Sequence, residues 1–251
     1  MPNKNIEIRQ NPTSCSDCRV RKLALFEAIP EKYIMQAQEK RSCQFKLGAK
    51  SNLYSEGEPC DHAYTLFDGW VLLYRSHSSG SIQGLRIALP GDFIGFMPMN
   101  HTTYNHGAMV ITNSVFCSFS QQALHEMIDT HTGLASRIHS LHSEYMANCQ
   151  STILGLGRKS AEQRIAHLLA DIYHRLEIRQ MIDKQARQMP FPMTQEMLGD
   201  MTGLTPVHVN RVMRKLREEG AFDCARTTLN AIDIEKLIDI GEYVVPPRQF
   251  V

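Results

Sequence analysis

Residues 193–220, MTQEMLGDMTGLTPVHVNRVMRKLREEG, decide the fold expected of this chain. They contain the start and stop signals of two helices joined by a tight turn at Gly203. Thr194 is the predicted N-cap of the first helix, and Thr205 that of the second, which has a proline at its first position and ends at Gly220. This pattern predicts a helix-turn-helix. The apolar residues expected to pack its two helices together are Leu198, Leu204, Val209, Val212, Met213 and Leu216.

The second of these helices concentrates positive charge. The whole chain of 251 residues has a formal net charge of +1, and residues 190–230 contain five cations and five acids. Residues 205–217, in contrast, contain four cations and no acid. The second helix of a helix-turn-helix enters the DNA major groove, where phosphates and base edges attract such side chains. The sequence therefore predicts binding of double-stranded DNA, and the alternative is a basic helix face that is only solvated.

The predicted DNA contacts lie at the starts of both helices and along the basic face. Asn210 and Arg211 have the best chemistry for reading bases, because Asn pairs with adenine and Arg with guanine. Thr194, Gln195 and Thr205 can donate hydrogen bonds to phosphates. The full predicted set is Thr194, Gln195, Thr205, Pro206, Val207, His208, Asn210, Arg211, Arg214 and Lys215.

Upstream of this motif the sequence changes character twice. Residues 1–20 are predicted to be a flexible arm, and a short helix is expected over residues 23–39. Between about residues 43 and 119, short apolar runs are separated by recurring glycines, which is typical of an antiparallel sandwich or jelly roll. A β domain is therefore expected over residues 21–120, which makes the chain α+β in class.

A long helix is predicted over residues 121–156, because apolar residues recur there with a spacing of 3.5 for five heptads without a proline. This spacing predicts a two-stranded seam in a homodimer, and the alternative is a helix packed only on its own β domain. Gly155 and Gly157 are expected to interrupt the helix. A capping box at Ser160 then starts the next helix, and residues 158–251 form the predicted DNA-binding domain.

This order of elements resembles the CRP/FNR family of bacterial transcription regulators. The resemblance covers nearly the whole chain and is most specific over residues 158–220, which begin RKSAEQRIAHLLADI. It implies an eight-stranded β-roll sensor domain, a dimerisation helix and a winged helix-turn-helix whose wing is residues 221–232. It also implies contact with RNA polymerase. A homodimer would present its two recognition helices to half-sites ~34 Å apart.

The chain departs from the family pattern at two places. Members that read TTGA-type half-sites usually have a glutamate where this chain has Val207, so one base contact is missing, whereas Arg211 matches the family's guanine-reading arginine. The second departure lies in residues 93–114, FIGFMPMNHTTYNHGAMVITNS, which correspond to the family's phosphate-binding cassette but contain no glutamate and no arginine. His106 stands near the arginine's place. Because a phosphate without a cation or a nest of donors is poorly held, cAMP is not expected as the effector.

Cysteines point to another kind of signal. Oxygen sensors of the FNR type hold a [4Fe–4S] cluster with clustered N-terminal cysteines and a distant one, and Cys15, Cys18 and Cys117 lie at matching places in this chain. The remaining N-terminal cysteine is absent, because its place falls on Ala24 or Phe26. An iron–sulfur cluster is thus the candidate cofactor, with its fourth ligand unknown. The residues that could substitute are Cys43, Cys60, Asp17 and His62.

Other sensing mechanisms stay open. Cys15 and Cys18 form a C-x-x-C pair that could act as a thiol switch. A haem on a histidine or cysteine, an organic effector, and a sensor that has lost its cofactor are the further alternatives. Cys149 and Cys224 are expected to be buried apolar thiols.

The remaining features set the class and location of the protein. A secretory segment is not recognised at the start of the chain, and no apolar stretch has the length of a membrane span. An odd number of scattered cysteines does not suggest a disulfide framework, so a cytoplasmic location is expected. A jelly roll could also belong to a cupin-type metal enzyme. That hypothesis is disfavoured, because the predicted sheet has only the isolated His62 and His77 and the basic helix would be unexplained.

Overall fold

The computed structural model describes residues 6–246 of the chain. The outermost five residues of the predicted arm and of the predicted DNA-binding domain lie outside this range. Contacts divide the chain into two compact units, residues 1–148 and 149–251. The first unit is mainly β and the second mainly α, so the chain is α+β.

Two antiparallel sheets form the frame of the first unit. Their strands are β1 (Glu7–Ile8), β2 (Arg41–Leu47), β3 (Asn52–Tyr54), β4 (His62–Asp68), β5 (Val71–Ser76), β6 (Ile82–Ala88), β7 (Phe93–Ile94), β8 (Gly107–Val110) and β9 (Ser114–Ser120). One sheet has the order β1-β2-β9-β4-β7 and the other β3-β8-β5-β6. The predicted β-roll fold is thus present, and a strand from the arm, β1, is added to it.

The arm is therefore not a free segment over its described residues. Glu7 and Ile8 pair with Lys46 and Phe45 of β2. The backbone N–H of Arg9 continues this pairing by donating to the carbonyl of Gln44 at 2.9 Å. The arm is held because β2 would otherwise present an unpaired edge.

Alternation along the strands separates two apolar cores. On β9, Phe116 lies in the core between the two sheets, together with Phe45 and Leu66. Its neighbours Cys117 and Phe119 lie in a second core on the outer face of the sheet. The arm and the helices of the first unit cover this outer face.

The helix predicted over residues 23–39 is wrong in length. The structure has 3₁₀ turns at Arg21–Leu23, Leu25–Ala28 and Glu31–Tyr33, followed by helix α1 (Ile34–Lys40). Ala24 and Pro30 have extended ψ angles of −177° and 147° between these turns, which prevents one continuous helix.

The long helix is also divided. Helix α2 (Gln121–Thr130) ends at His131, whose φ of −129° and ψ of 95° are not helical, and helix α3 (Thr132–Arg158) follows. Gly155 lies inside α3, so the expected interruption there is wrong. A glycine costs a helix only about 1 kcal/mol relative to alanine. The following helix begins after Ser160 instead.

Part of the predicted seam faces the chain's own β domain. Leu124, Leu134 and Ile138 are buried in the outer core of the first unit. The large apolar side chains that α3 exposes are Met146, Ile153, Leu154 and Leu156, of which Leu156 belongs to the predicted seam.

The second unit contains the predicted helix-turn-helix. Its elements are α4 (Ala161–Ile178), β10 (Met189–Pro190), α5 (Gln195–Thr202), α6 (Pro206–Glu218), β11 (Asp223–Ala225), β12 (Thr228–Asn230) and α7 (Ile234–Gly241). Ser160 and Gln163 form the expected capping box at the start of α4. Strands β11 and β12 form a hairpin within residues 221–232, where the wing was predicted. Within residues 6–246 no helix combines the length and apolarity of a membrane span.

Candidate functional site

The turn between α5 and α6 has the local structure that its sequence predicts. The Thr194 hydroxyl accepts a hydrogen bond from the Met197 N–H at 3.2 Å, and the Thr205 hydroxyl accepts one from the His208 N–H at 3.3 Å. Gly203 ends α5 with a φ of +66°, a left-handed conformation that favours glycine. Both helix N-terminal turns are thereby fixed.

Helix α6 has one buried and one exposed face. Its buried side chains, Val209, Val212 and Leu216, anchor it in the second unit. Val207, Asn210, Arg211 and Arg214 are exposed and have the spacing i, i+3, i+4 and i+7. Because residues with this spacing share one helix face, these four side chains form a single solvent-facing stripe, which we call the recognition stripe.

The positive charges of α6 are not equally available. Lys215 is paired with Glu162 of α4 and lies 3.7 Å from Glu219. Arg214 lies 3.8 Å from Glu218. Within residues 6–246, Arg211 makes no salt bridge. Of the two arginines in the recognition stripe, it is therefore the one whose guanidinium is available to bind a ligand.

The other predicted DNA contacts lie near the two helix starts. Thr194 and Gln195 are exposed at the start of α5, and Thr205 and Pro206 are exposed at the start of α6. His208 is half-buried. All except Lys215 thus lie at a helix N-terminal turn or on the recognition stripe.

The structure brings the three predicted sensor cysteines together. Cys15, Cys18 and Cys117 line one pocket on the outer face of the first sheet, which we call the cysteine pocket. Cys15 and Cys117 are only 8% and 7% exposed. Arg41 and Gln44 line the same pocket.

Gln44 connects the arm to Cys117. The Gln44 side chain is buried, and its amide N–H donates to the Cys117 sulfur at 3.3 Å. Its amide oxygen accepts from the Arg9 guanidinium and from the Thr13 N–H, both at 3.0 Å. Both hydrogen-bonding ends of one buried amide are therefore used, one on the sulfur and one on the arm.

Arg41 and Thr65 complete the polar lining. The Arg41 guanidinium donates to the Thr13 carbonyl at 2.7 Å and lies 4.0 Å from the Cys15 sulfur. The Thr65 side chain is buried, and its hydroxyl has no hydrogen-bond partner among the described residues. The sequence did not single out Gln44, Arg41 or Thr65. Gln44 and Thr65 are both paired with Cys117 across neighbouring strands, and only the strand register reveals this.

All three pocket thiols are held in the protonated form. Burial raises the pKa of the Cys15 thiol, and the nearby Arg41 guanidinium opposes this shift only in part. Burial likewise raises the pKa of Cys18 and of Cys117, the latter despite the hydrogen bond from Gln44. Low thiolate content makes these cysteines slow nucleophiles near neutral pH.

The residues present do not fit a four-ligand iron–sulfur cluster. Ala24 and Phe26, the two places where the missing cysteine would fall, both line the pocket and cannot bind iron. The open volume is about 30 Å³, enough for roughly one or two water molecules but not for four irons and four sulfides. Among residues 6–246, no group of three or more His, Cys, Asp or Glu side chains is arranged to hold a metal ion.

The proposed substitute ligands lie elsewhere. Cys60 is buried in the core between the sheets, where its thiol donates to the His101 carbonyl at 3.2 Å, and Cys43 packs against the same core. Asp17 is exposed and His62 half-buried, and neither lines the pocket. The other two thiols were also predicted incorrectly, because Cys149 is half-buried and Cys224, in the β11–β12 hairpin, is exposed.

The interior of the roll is closed by aromatic side chains. Tyr54 and Tyr104 stack with their ring centres 3.9 Å apart, and the Tyr54 hydroxyl lies 2.9 Å from His106 Nε2. Burial lowers the pKa of His106 to about 4, and the Arg75 guanidinium, itself paired with Glu56 at 2.8 Å, adds to this shift. A neutral His106 carries no positive charge.

The fold and the exposed basic helix together define a winged helix-turn-helix DNA-binding protein with a β-roll domain. Two family models match this division, Cyclic nucleotide-binding domain over residues 44–131 and Crp-like helix-turn-helix domain over residues 163–240. The match to the Cyclic nucleotide-binding domain describes the fold of the β domain.

Relatives of the chain agree with both models. It is 30% identical to the transcriptional activatory protein AadR of Rhodopseudomonas palustris over 80% of this chain and 82% of that protein. It is 32% identical to the nitrogen fixation regulation protein FixK of Rhizobium meliloti over 73% of this chain and 79% of that protein. The chain belongs to the CRP/FNR family of transcription regulators, which confirms the predicted family and class, and this is a family of regulators rather than enzymes.

The fold is confirmed by a solved structure. FixK2 from Bradyrhizobium japonicum superposes with a TM-score of 0.69 at 23% identity, covering 81% of this chain and 98% of that one. At this identity the likeness concerns the fold alone.

Proposed function

We propose that this regulator binds specific sequences of double-stranded DNA as a homodimer and responds to redox conditions through the cysteine pocket. The recognition stripe supports the DNA-binding part, because Asn210 and Arg211 are the side chains best suited to base edges and both are exposed. The observation that carries the sensing part is that Cys15, Cys18 and Cys117 line one pocket. AadR is described as an activatory protein, and we extend from it the proposal that this chain contacts RNA polymerase at its promoters.

The sensing chemistry that fits the pocket is thiol oxidation. Two of the three thiols would lose two protons and two electrons to form a disulfide bond, and one molecule of hydrogen peroxide would take these up and become two molecules of water. Burial raises the pKa of each thiol in the cysteine pocket, which lowers its thiolate content at neutral pH. Oxidation is therefore slow near neutral pH.

Contacts around the cysteine pocket connect it to the arm and to helix α3. If Cys117 is oxidised, Gln44 loses the sulfur atom that accepts its hydrogen bond. The same Gln44 side chain also holds the arm, because its amide oxygen accepts a hydrogen bond from the Thr13 N–H. The segment after the cysteines is tied to α3, since Arg137 donates to the Leu23 carbonyl at 3.2 Å and lies 3.3 Å from Glu27. Oxidation would therefore shift an equilibrium between arrangements that bind DNA well and poorly.

The sensing proposal predicts an iron-free protein with two oxidisable pocket thiols. Purified without oxygen, the chain should contain neither iron nor acid-labile sulfide and should lack visible absorbance. Hydrogen peroxide should then remove two free thiols per chain and change operator affinity. We expect Cys117→Ser to abolish this change in affinity, and Cys224→Ser, which removes an exposed thiol outside the pocket, to preserve it.

Alkylation provides a second measurement of the same pocket. Because a raised pKa leaves little thiolate at pH 7, iodoacetamide should label Cys15, Cys18 and Cys117 faster as the pH rises from 7 to 9. About four irons per chain, or a peroxide response that survives Cys117→Ser, would contradict the thiol mechanism.

The homodimer is proposed to form through exposed apolar residues of α3. Ile153 is 68% exposed on this helix, and burial of such a side chain in an interface contributes roughly 1.5–3 kcal/mol. A two-fold interface uses it twice. Ile153→Glu should therefore weaken the dimer by at least roughly 100-fold, seen as a monomer by light scattering. The matched variant Ile178→Glu, on α4, should remain a dimer, and equal behaviour of the two variants would refute this interface.

A further inference from the structure

Val207 is the unusual member of the recognition stripe. It is 82% exposed, whereas the other valines of α6, Val209 and Val212, are buried in the unit. Val207 lies in the first turn of α6, directly after Pro206, which is also exposed. Neither of these two side chains can donate or accept a hydrogen bond. The two exposed side chains in the turn of the helix that reaches deepest into a major groove are therefore apolar.

The neighbours of Val207 restrict what it can face. Val207 precedes Asn210 and Arg211 by three and four residues, so it lies about one helical turn, ~5.4 Å, towards the N-terminus on the same face. Base pairs are stacked ~3.4 Å apart. If Arg211 reads a guanine, Val207 faces a base pair roughly one or two steps away.

Only one group in the major groove is apolar. Adenine, guanine and cytosine present hydrogen-bond donors and acceptors there, whereas thymine also presents its C5-methyl group. An isopropyl group placed against the donor or acceptor of a G·C pair would displace water from it without replacing the hydrogen bond, which is unfavourable. Contact with the thymine methyl removes apolar surface of both partners from water.

We infer that Val207 reads the C5-methyl group of one thymine in each half-site, next to the position read by Arg211. This inference rests on the proposed DNA-binding function and adds the base that the first turn of α6 selects. It makes Val207 a specificity-determining residue that acts by apolar contact alone.

The test uses DNA that differs only by methyl groups. Full-length protein selects its operator from a random duplex pool, and each thymine of the selected site is then replaced singly by deoxyuridine, which keeps every hydrogen-bonding group and removes the methyl. One such replacement should weaken wild-type binding about fourfold, the factor expected for one buried methyl group. Replacement in both half-sites, which removes two methyl groups, should weaken it roughly 15-fold.

Three variants make the result specific. Val207→Ala should bind the thymine operator more weakly than the wild type and should be indifferent to the deoxyuridine at that position. Val244→Ala removes an equally exposed valine, 83% exposed, outside the helix-turn-helix, and should respond to deoxyuridine as the wild type does. Arg211→Ala should lose selection of the operator whichever base is present.

Failure of the inference is distinguishable from failure of the proposed function. If wild type and Val207→Ala respond equally to every deoxyuridine while Arg211→Ala still loses the operator, the reading by Val207 is overturned and the DNA-binding proposal stands. If no duplex is selected, or if Arg211→Ala selects as the wild type does, the proposed function fails with it.

Discussion

Replacing Arg211 with alanine is expected to cost roughly 1–3 kcal/mol of specific binding free energy for each half-site, since a bidentate arginine–guanine pair contributes that much discrimination. The dimer would lose this contact twice. Arg211 is exposed on the recognition stripe and, within the described residues, has no acidic partner that must first be displaced. Affinity for the selected operator, measured by fluorescence anisotropy at fixed salt, should fall much more than affinity for random duplex.

Arg217→Ala is the matched control for this prediction. It removes the same charge from the same helix, but from the C-terminal turn, away from the residues expected to reach base edges. We expect it to weaken binding to operator and random DNA by similar, small factors and to lower the salt dependence. Equal loss of sequence preference in both variants would contradict the docking of α6 by its N-terminal residues.

The second large effect is expected at Gly199, inside α5. A Cβ atom there would lie 2.5 Å from the backbone carbonyl oxygen of Leu204, because the turn folds back over the helix at this point. Alanine ordinarily favours a helix, yet here the backbone must move. Gly199→Ala should therefore lower the free energy of unfolding by about 1–3 kcal/mol, as overpacking does, and should weaken DNA binding because the turn positions α6.

Gly157→Ala is the control for the glycine prediction, because a Cβ at Gly157 in α3 meets no atom within 4 Å. This variant should gain up to about 1 kcal/mol of helix stability. Circular dichroism reports the helices, whereas fluorescence of Trp70, the single tryptophan, reports the β unit. Gly199→Ala should lower the melting temperature followed by circular dichroism and leave the melting temperature followed by Trp70 fluorescence unchanged. An unchanged melting temperature by circular dichroism would show that the turn tolerates a side chain.

Local signals made the helix-turn-helix predictable. Thr194, Thr205 and Pro206 act within three or four residues of themselves, so the sequence contains nearly all the information that fixes the two helix starts. The glycine pattern indicated the β domain for the same reason. The family resemblance followed from these elements in order, and the relatives confirm it.

Periodicity was a weaker guide where tertiary contacts compete. Leu134 and Ile138 have the spacing of a dimer seam, but they are buried on the chain's own sheet, because a stripe of apolar residues does not specify its partner. The predicted break at Gly155 was wrong, since packing carries a helix through a modest propensity cost. One continuous helix was predicted over residues 23–39, but the extended backbone at Ala24 and Pro30 divides this segment.

By itself, the sequence determined the family, the class of DNA-binding motif and the clustering of charge on α6, because each depends on residues close together in the chain. The tertiary structure alone decided which charges are free, since Lys215 is paired with a glutamate 53 residues away. It also placed Cys117 beside Gln44 and the two N-terminal cysteines, through a strand register that no local pattern specifies. Ala24 and Phe26 also line that pocket and cannot bind iron, and for this physical reason its chemistry is expected to be that of thiols.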